Sequence, residues 1–381
     1  MEIFTTDTHK AFLKQKLEKG EEAFAFLRTA LSFEAERRMA HPLYSVTFSQ
    51  SRAASGDPHD YYSEAPYWWP DPANPGGPFI RRDGKIYPGR CVKHLDDLCA
   101  MVSDVYFLAV AGYFLENPAY TARAAKLLDV WFLDHETKMN PNLNHAQAIY
   151  GVTEGRGIGI IDTTRLVPLV AAMDYFTLSD AHADVTNGLK EWFSAYVLWL
   201  DTSKNGIAER DYFNNHANWW NAQAAAYAAF CGNDAMAKRC FDRLLDVILP
   251  AQTDGDGFFA DELTRTNSFT YSLYNLDACA VTAEVARGYG RDLWNAETPS
   301  GRSIRKSLDA LYPFYENPFL WKHEQITGMN IGSHEAFQLA SVRVDKAYGG
   351  AEKLRREGTY AFAGLAHVGA LCFAQGYAEN R

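Results

Sequence analysis

The sequence predicts an all-α fold built from stacked helical hairpins. Three observations carry this. Apolar residues recur at three- and four-residue spacing, short polar loops separate the apolar runs, and strand-like alternation is nearly absent. At 381 residues the chain is long for one ordinary domain, although single toroids and barrels reach this size. No change in composition marks a second domain, so residues 1–381 are read as one.

Taken in order, helices are expected at roughly 97–115, 120–134, 163–178, 186–200, 217–231, 235–249, 272–288, 301–313, 332–344 and 359–375. Glu116-Asn117-Pro118, Leu178-Ser179-Asp180 and Cys231-Gly232-Asn233-Asp234 are tight joints, which makes neighbouring helices antiparallel pairs. No consensus recurs along the chain, so the repetition is structural and not that of a TPR or HEAT array. Two long irregular stretches break the pattern. The first, 40–94, holds most of the prolines and the run Asp60-Tyr61-Tyr62-Ser63-Glu64-Ala65-Pro66-Tyr67-Trp68-Trp69-Pro70. The second, 135–162, holds Asn144-His145-Ala146-Gln147 and Gly155-Arg156-Gly157-Ile158-Gly159. Long loops in a compact helical domain are usually functional.

The composition narrows the partners. A formal net charge of −10 argues against nucleic acid. It does not exclude a polyanion, because a cleft can be locally basic on an acidic protein. Arg81, Arg82, Lys85, Arg90 and Lys93 form such a patch, with Asp83 its one acid. The aromatic share of 14%, with nine Trp and twenty-one Tyr, suits a cleft that stacks on sugar rings, and suits a large helical core equally well.

The six cysteines show no C-x-x-C spacing and read as buried free thiols, with Cys91 and Cys99 able to pair if oxidised. No apolar run looks long enough for a membrane span. Met1-Glu2-Ile3-Phe4-Thr5-Thr6-Asp7 shows neither a basic n-region nor an apolar h-region.

Two segments carry the chemistry. Phe213-Asn214-Asn215-His216-Ala217-Asn218-Trp219-Trp220 gathers amides, a histidine and two indoles. About fifty residues on, Glu262-Leu263-Thr264-Arg265 leads to Tyr271 and Tyr274. Lytic cleavage of a 1,4-linked uronan needs this set. The C5 proton is weakly acidic, so the C6 carboxylate must be neutralised before a base removes it and an acid protonates the departing O4. Asn215 and His216 can donate to that carboxylate, and Arg265 adds a fixed positive charge. Tyr271 can protonate O4, or act as base if Arg265 lowers its pKa.

Stereochemistry limits the base. In mannuronate and glucuronate H5 and O4 lie on one face, and Tyr271 suits both tasks. In guluronate and galacturonate they lie on opposite faces, which makes His216 the base and Tyr271 the acid. Glu209, seven residues before His216, either orients the imidazole or is a solvated loop acid. Tyr61, Tyr62, Tyr67, Trp68, Trp69, Arg81, Arg82, His145, Asn214, Trp219, Glu262 and Tyr274 complete the substrate-contacting candidates. On a helix Trp219 and Trp220 face different ways, so at least one belongs to the core.

Other motifs carry less. Asp254-Gly255-Asp256-Gly257 lacks the remaining ligands of a calcium loop and reads as a turn. No cluster has zinc spacing, no G-x-S-x-G elbow is present, and Gly155-Arg156-Gly157-Ile158-Gly159 does not follow a strand into a βαβ unit. Neither a metal nor another cofactor is expected.

Together, Asn214-Asn215-His216 followed by aromatics and Asp261-Glu262-Leu263-Thr264-Arg265 leading to Tyr271 resemble the alginate lyase superfamily. Tyr61-Tyr62-Ser63 to Trp68-Trp69-Pro70, and Arg82-Asp83-Gly84, resemble its N-terminal block. The resemblance spans roughly 55–330. It implies an incomplete (α/α) toroid of about six to seven hairpins, with the cleft across its concave end. It also implies that Asn215 and His216 neutralise the carboxylate, that Arg265 assists, and that Tyr271 is acid or acid/base. The six-residue step from Arg265 to Tyr271, with Ser272 after it, departs from the better-known members. It points to a divergent branch that includes glucuronan-active enzymes.

The expected function is therefore a metal-independent lyase acting on an anionic β-1,4-linked polyuronate, mannuronan or glucuronan first. Such a substrate leads to the expectation of a secreted or periplasmic protein. Two rivals remain: a toroidal glycoside hydrolase drawing a carboxylate pair from Glu209, Asp211, Asp261 and Glu262, and a non-catalytic carbohydrate-binding protein.

Overall fold

The computed structural model describes residues 3–4, 7–19, 22–176, 182–328 and 334–349. Helices α1 (Asp7–Glu18) and α2 (Glu22–Met39) lead into the first irregular stretch. Then α3 (Lys93–Phe114) and α4 (Pro118–Leu128) make a hairpin. After the second irregular stretch come α5 (Leu166–Met173), α6 (Ala183–Thr202), α7 (Lys204–Arg210) and α8 (Asn215–Cys231). The described chain continues through α9 (Asp234–Arg243), α10 (Leu249–Gln252), α11 (Ser268–Gly288), α12 (Ile304–Glu316) and α13 (Glu335–Arg343). The fold is all-α, as expected.

Two of the three joints form for the reasons their residues suggest, and Leu178-Ser179-Asp180 lies outside the described residues. The Asn117 side chain accepts from the Ala119 amide at 3.1 Å, and Pro118, which has no amide hydrogen to lose, opens α4. Gly232 ends α8 at φ 82°, and Asn233 then caps α9 by accepting from the Met236 amide at 3.1 Å.

The core is centred on α8 and α11, both buried along almost their whole length and packed on each other. Ala222, Ala224, Ala225, Ala226, Ala228 and Ala229 keep α8 thin, so that α6, α9 and α11 approach it closely. Large side chains such as Phe193 and Leu276 fill the space between, and burying each contributes on the order of 1.5–3 kcal/mol.

Helix α3 corrects one expectation. Its 22 residues, at mean hydropathy 1.4, are long and apolar enough to cross a membrane, but 72% of that window is buried inside the protein. It is a core helix, packed on α2, α4 and α5.

The expected segments are otherwise met within a few residues, with local differences. The 120–134 segment ends in a π turn, Asp129–Leu133, and 163–178 begins as the 3₁₀ helix Gly157–Arg165. Helices α1, α2 and α7 were not anticipated. The first two mix charged and apolar residues around the whole helix, and the third is too short to show a period. The expected helix at 359–375 lies outside the described residues. Cys91, Cys99, Cys231, Cys240 and Cys279 are all free thiols, so Cys91 and Cys99 do not pair, and Cys372 lies outside the described residues.

The two irregular stretches are joined to each other. Strand β1 (Tyr62–Glu64) pairs in parallel with β4 (His145–Ala148), while β2 (Trp68–Trp69) and β3 (Ile80–Arg81) make a small antiparallel hairpin. This fixes both loops over one end of the helices.

Candidate active site

The N-terminus of α8 is the foundation of the site. The Asn214 side chain accepts from the His216 amide at 3.2 Å, capping the helix, and its backbone carbonyl accepts from Gln252 Nε2 at 2.8 Å. Asn214, expected to contact substrate, is therefore occupied in holding the helix start. Next to it, Glu262 Oε1 accepts from the Asn215 amide at 2.7 Å and from Asn215 Nδ2 at 2.8 Å. A carboxylate at a helix N-terminus is well placed electrostatically. Asn275 Nδ2 steadies the same group, 3.4 Å from Glu262 Oε1 and 3.0 Å from Gln252 Oε1.

Glu262 was expected to contact substrate, but it is fully buried and acts on Asn215 instead. Burial raises its carboxyl above the usual range despite the Asn215 hydrogen bonds. Asn215 donates one amide hydrogen to Glu262, and its second is left for another acceptor.

His216 lies in the first turn of α8 with 14% of its side chain exposed, and its Nδ1 is 2.7 Å from Glu209 Oε1. Glu209 is not a solvated acid. It sits wholly buried in the last turn of α7, and that burial raises its carboxyl above the usual range. Its contact is with the imidazole, and it has no exposed surface. With Nδ1 engaged, Nε2 is the nitrogen left for chemistry. Tyr212 packs edge-on against the ring, with centroids 5.6 Å apart.

Arg265 follows the short 3₁₀ turn Glu262–Thr264, and Tyr271 falls in the first turn of α11. The Arg265 guanidinium carbon lies 3.8 Å from the Tyr271 ring centroid, a cation–π contact. The Tyr271 hydroxyl is 2.5 Å from that of Tyr67.

The condition under which Tyr271 was expected to act as base, a pKa lowered by Arg265, is not met in the resting site. Burial, reinforced by Tyr67, outweighs the arginine and raises the phenol well above its ordinary value. In the resting site Tyr271 therefore holds its proton.

The β2–β3 hairpin closes over this pair. Asp83 accepts from Arg265 Nη2 at 3.1 Å, from Thr266 Oγ1 at 2.9 Å and from Arg81 Nη2 at 2.7 Å. These cations pull its carboxyl down to about 2. Gly84, at φ 69°, makes the close approach possible, since a Cβ there would lie 2.6 Å from Thr266 Oγ1. Trp68 and Trp69 are half-buried on the hairpin, and the Arg82 guanidinium lies 5.2 Å from the Trp69 ring centroid. Arg81 is exposed beside them. These remain accessible for substrate.

Other expected contacts are elsewhere. Tyr61 is fully buried, its hydroxyl donating to Asp162 at 3.1 Å, and Tyr62 is buried with its hydroxyl on Glu64 at 3.0 Å. Trp219 and Trp220 are both core residues, with Trp219 Nε1 donating to the Tyr274 carbonyl at 3.0 Å. Helix α8 is surrounded by other helices, so neither indole reaches a cleft. Tyr274 is half-buried against Trp219, with ring centroids 4.8 Å apart. His145 is at the edge of the loop cluster, 3.6 Å from Asp60.

Asp254 accepts from the Asp256 and Phe258 amides at 2.9 and 3.0 Å, as a turn residue does. Among the described residues no group of three His, Cys, Asp or Glu is placed to hold a metal.

Sequence reasoning missed the roles of Asp83, Asn275 and Gln252. Asp83 had a visible signal as the single acid inside a basic run, while Asn275 and Gln252 had none.

Comparisons with known proteins bear on the fold and the family. The alginate lyase family model matches residues 45–321. A crystal structure of an alginate lyase from Bacteroides ovatus is 32% identical and covers 97% of this chain and 98% of its own, with a TM-score of 0.87. Alginate lyase A1-III from Sphingomonas species A1 is 14% identical over 85% of this chain and 88% of its own, with a TM-score of 0.52, a likeness of fold. A variant of A1-III complexed with a tetrasaccharide is 15% identical over 83% of this chain and 88% of its own, with a TM-score of 0.50. No curated protein matches. The helices thus form an (α/α) toroid, and the chain belongs to the alginate lyase family and is a polysaccharide lyase.

Proposed function

We propose that the chain cleaves β-1,4-linked mannuronan, and glucuronan, which differs from it only at C2, by β-elimination. The observation that carries this reading is the convergence of Tyr271, Arg265, Asn215 and His216 at the adjoining N-termini of α8 and α11. The free amide hydrogen of Asn215 and a ring N–H of His216 receive the C6 carboxylate, and Arg265 adds positive charge. The C5–H electron pair becomes the C4=C5 double bond as the C4–O4 bond breaks, and Tyr271 delivers a proton to O4. On a mannuronate or glucuronate unit Tyr271 also takes H5. It must first release its own proton, and the Tyr67 hydroxyl at 2.5 Å gives that proton a path.

A second reading has its own support. Burial keeps Tyr271 protonated, and Glu209 holds His216 with Nε2 free. That division of acid and base suits opposite-face elimination, so guluronate units of alginate are substrates on this reading, with His216 as base.

Polymannuronate, polyguluronate and glucuronan, each followed by ultraviolet absorbance and by mass spectrometry of the products, test both. A 4,5-unsaturated uronate end from mannuronan or glucuronan supports the first, and one from polyguluronate alone supports the second. Saturated products with new reducing ends would overturn both in favour of hydrolysis.

A further inference from the structure

The Gly155-Arg156-Gly157-Ile158-Gly159 run has no place in the chemistry above, yet it is built into the same cleft wall. A Cβ on Gly155 would stand 2.0 Å from the Asn144 carbonyl oxygen, one on Gly157 2.7 Å from the Asn205 carbonyl oxygen of α7, and one on Gly159 2.5 Å from Ala146 Cβ. The glycines let the run wedge between β4 and α7. Arg156 is fixed between them, its amide donating to the Ala146 carbonyl at 3.1 Å.

Its side chain is aimed by a second constrained residue. Gln147 adopts φ 49°, a left-handed conformation that is unfavourable for a non-glycine residue. Its amide donates to Ser63 Oγ at 2.9 Å, its Nε2 to Asp162 Oδ1 at 3.1 Å, and its Oε1 accepts from Arg156 Nη2 at 2.9 Å. Such strain, held by bonds at both ends, is characteristic of binding and catalytic sites.

Arg156 makes no ion pair among the described residues, and its buried Nε has no hydrogen-bond partner. Glu209 and Tyr212, the residues that flank His216, are close enough to influence its charge, and so is the cation Arg81. A largely desolvated guanidinium with no carboxylate in direct contact, held charged by the nearby Glu209 and Asp162, keeps its remaining donors for an anion from outside.

We propose that Arg156 is the second fixed cation of the cleft and receives the carboxylate of a uronate neighbouring the one that is cleaved. Arg265, held by Asp83 against Tyr271, serves the reacting unit, and Arg156, on the β4–α7 side of His216, serves the next. The proposal rests on the polyuronate reading and assigns Arg156 to binding along the chain.

Initial rates on a polyuronate test it with Arg156→Met and with Arg156→Gln, which still donates to Gln147. Loss of a charge-assisted contact raises KM about tenfold or more, with kcat within about threefold. A KM within about twofold of wild type in either folded variant overturns the proposal. So does a fall in kcat with a shifted pH profile at constant KM, which makes Arg156 a support for Glu209 and His216.

Calorimetry with a uronate tetrasaccharide separates this from the lyase reading. Tyr271→Phe is compared with Tyr271→Phe/Arg156→Gln. A loss of affinity of about tenfold supports the carboxylate site even if no polymer yields an unsaturated product. Equal affinities, or no binding to Tyr271→Phe at all, overturn it.

Discussion

The Arg265 guanidinium lies over the Tyr271 ring, 3.8 Å from its centroid, while Asp83 holds its Nη2 and Nε at 3.1 and 3.3 Å. Asp83 belongs to the loop hairpin and Tyr271 to α11, so one arginine ties the cover of the cleft to its acid. Asp83→Asn should lower kcat about tenfold by freeing that arginine. Its stability effect has a definite sign. The folded Asp83 pKa, about 2, is below the ordinary aspartate value, so its contribution is present above about pH 4 and is lost as pH falls towards 2. Melting curves should show Asp83→Asn less stable than wild type at neutral pH, with the gap closing in acid.

Glu209→Gln should separate stability from activity. Burial raises the Glu209 carboxyl, so the folded state holds that proton more tightly than the unfolded chain. The stability this provides is complete at low pH and is lost as pH rises through the folded value. A neutral glutamine removes that alkaline penalty, so the variant should melt no lower than wild type at alkaline pH. Without the Glu209 carboxyl at its Nδ1 His216 loses orientation, and kcat should fall at least about tenfold. A variant with full activity would show that the Glu209–His216 contact is not used in turnover.

Tyr67→Phe removes the hydroxyl 2.5 Å from the Tyr271 phenol. Tyr67 is one of the groups that raise the Tyr271 pKa, after burial. The limb of the kcat profile that reports Tyr271 should therefore move to lower pH, with kcat on mannuronan reduced about tenfold through loss of the proton path. An unmoved limb would uncouple the two phenols.

The tryptophans should divide by position. Trp219→Ala should cost about 3–5 kcal/mol of stability, because it empties a core site and leaves the Tyr274 carbonyl without its donor. Trp68→Ala, on the hairpin, should leave the melting temperature within a few degrees and raise KM severalfold.

The same contrast shows what was legible in the sequence. The three-to-four-residue period was legible on α4, α6, α9 and α12 because one-sided burial leaves that imprint, whereas α8 and α11, buried all round, showed as apolar runs between polar loops. Asn215, His216, Arg265 and Tyr271 were readable as a set since each sits at a polar loop-to-helix junction. The burial of Tyr61, Tyr62 and Trp219 was not readable, because an aromatic residue looks the same whether it faces a sugar or a neighbouring helix. Nor was the parallel β1–β4 pairing, which joins segments about eighty residues apart through four strand residues on one side and three on the other. Nor was the balance at Tyr271 readable: Arg265 does favour the phenolate, but burial outweighs it, and only coordinates reveal burial.

The most direct test of the account follows ultraviolet absorbance of the unsaturated product during digestion of mannuronan, glucuronan and polyguluronate by wild type and Tyr271→Phe. The account predicts a rise with at least one polymer and its loss, by about a thousandfold or more in rate, in a folded Tyr271→Phe protein. A wild-type rise that survives in Tyr271→Phe, or a flat wild-type trace on all three polymers, would contradict it.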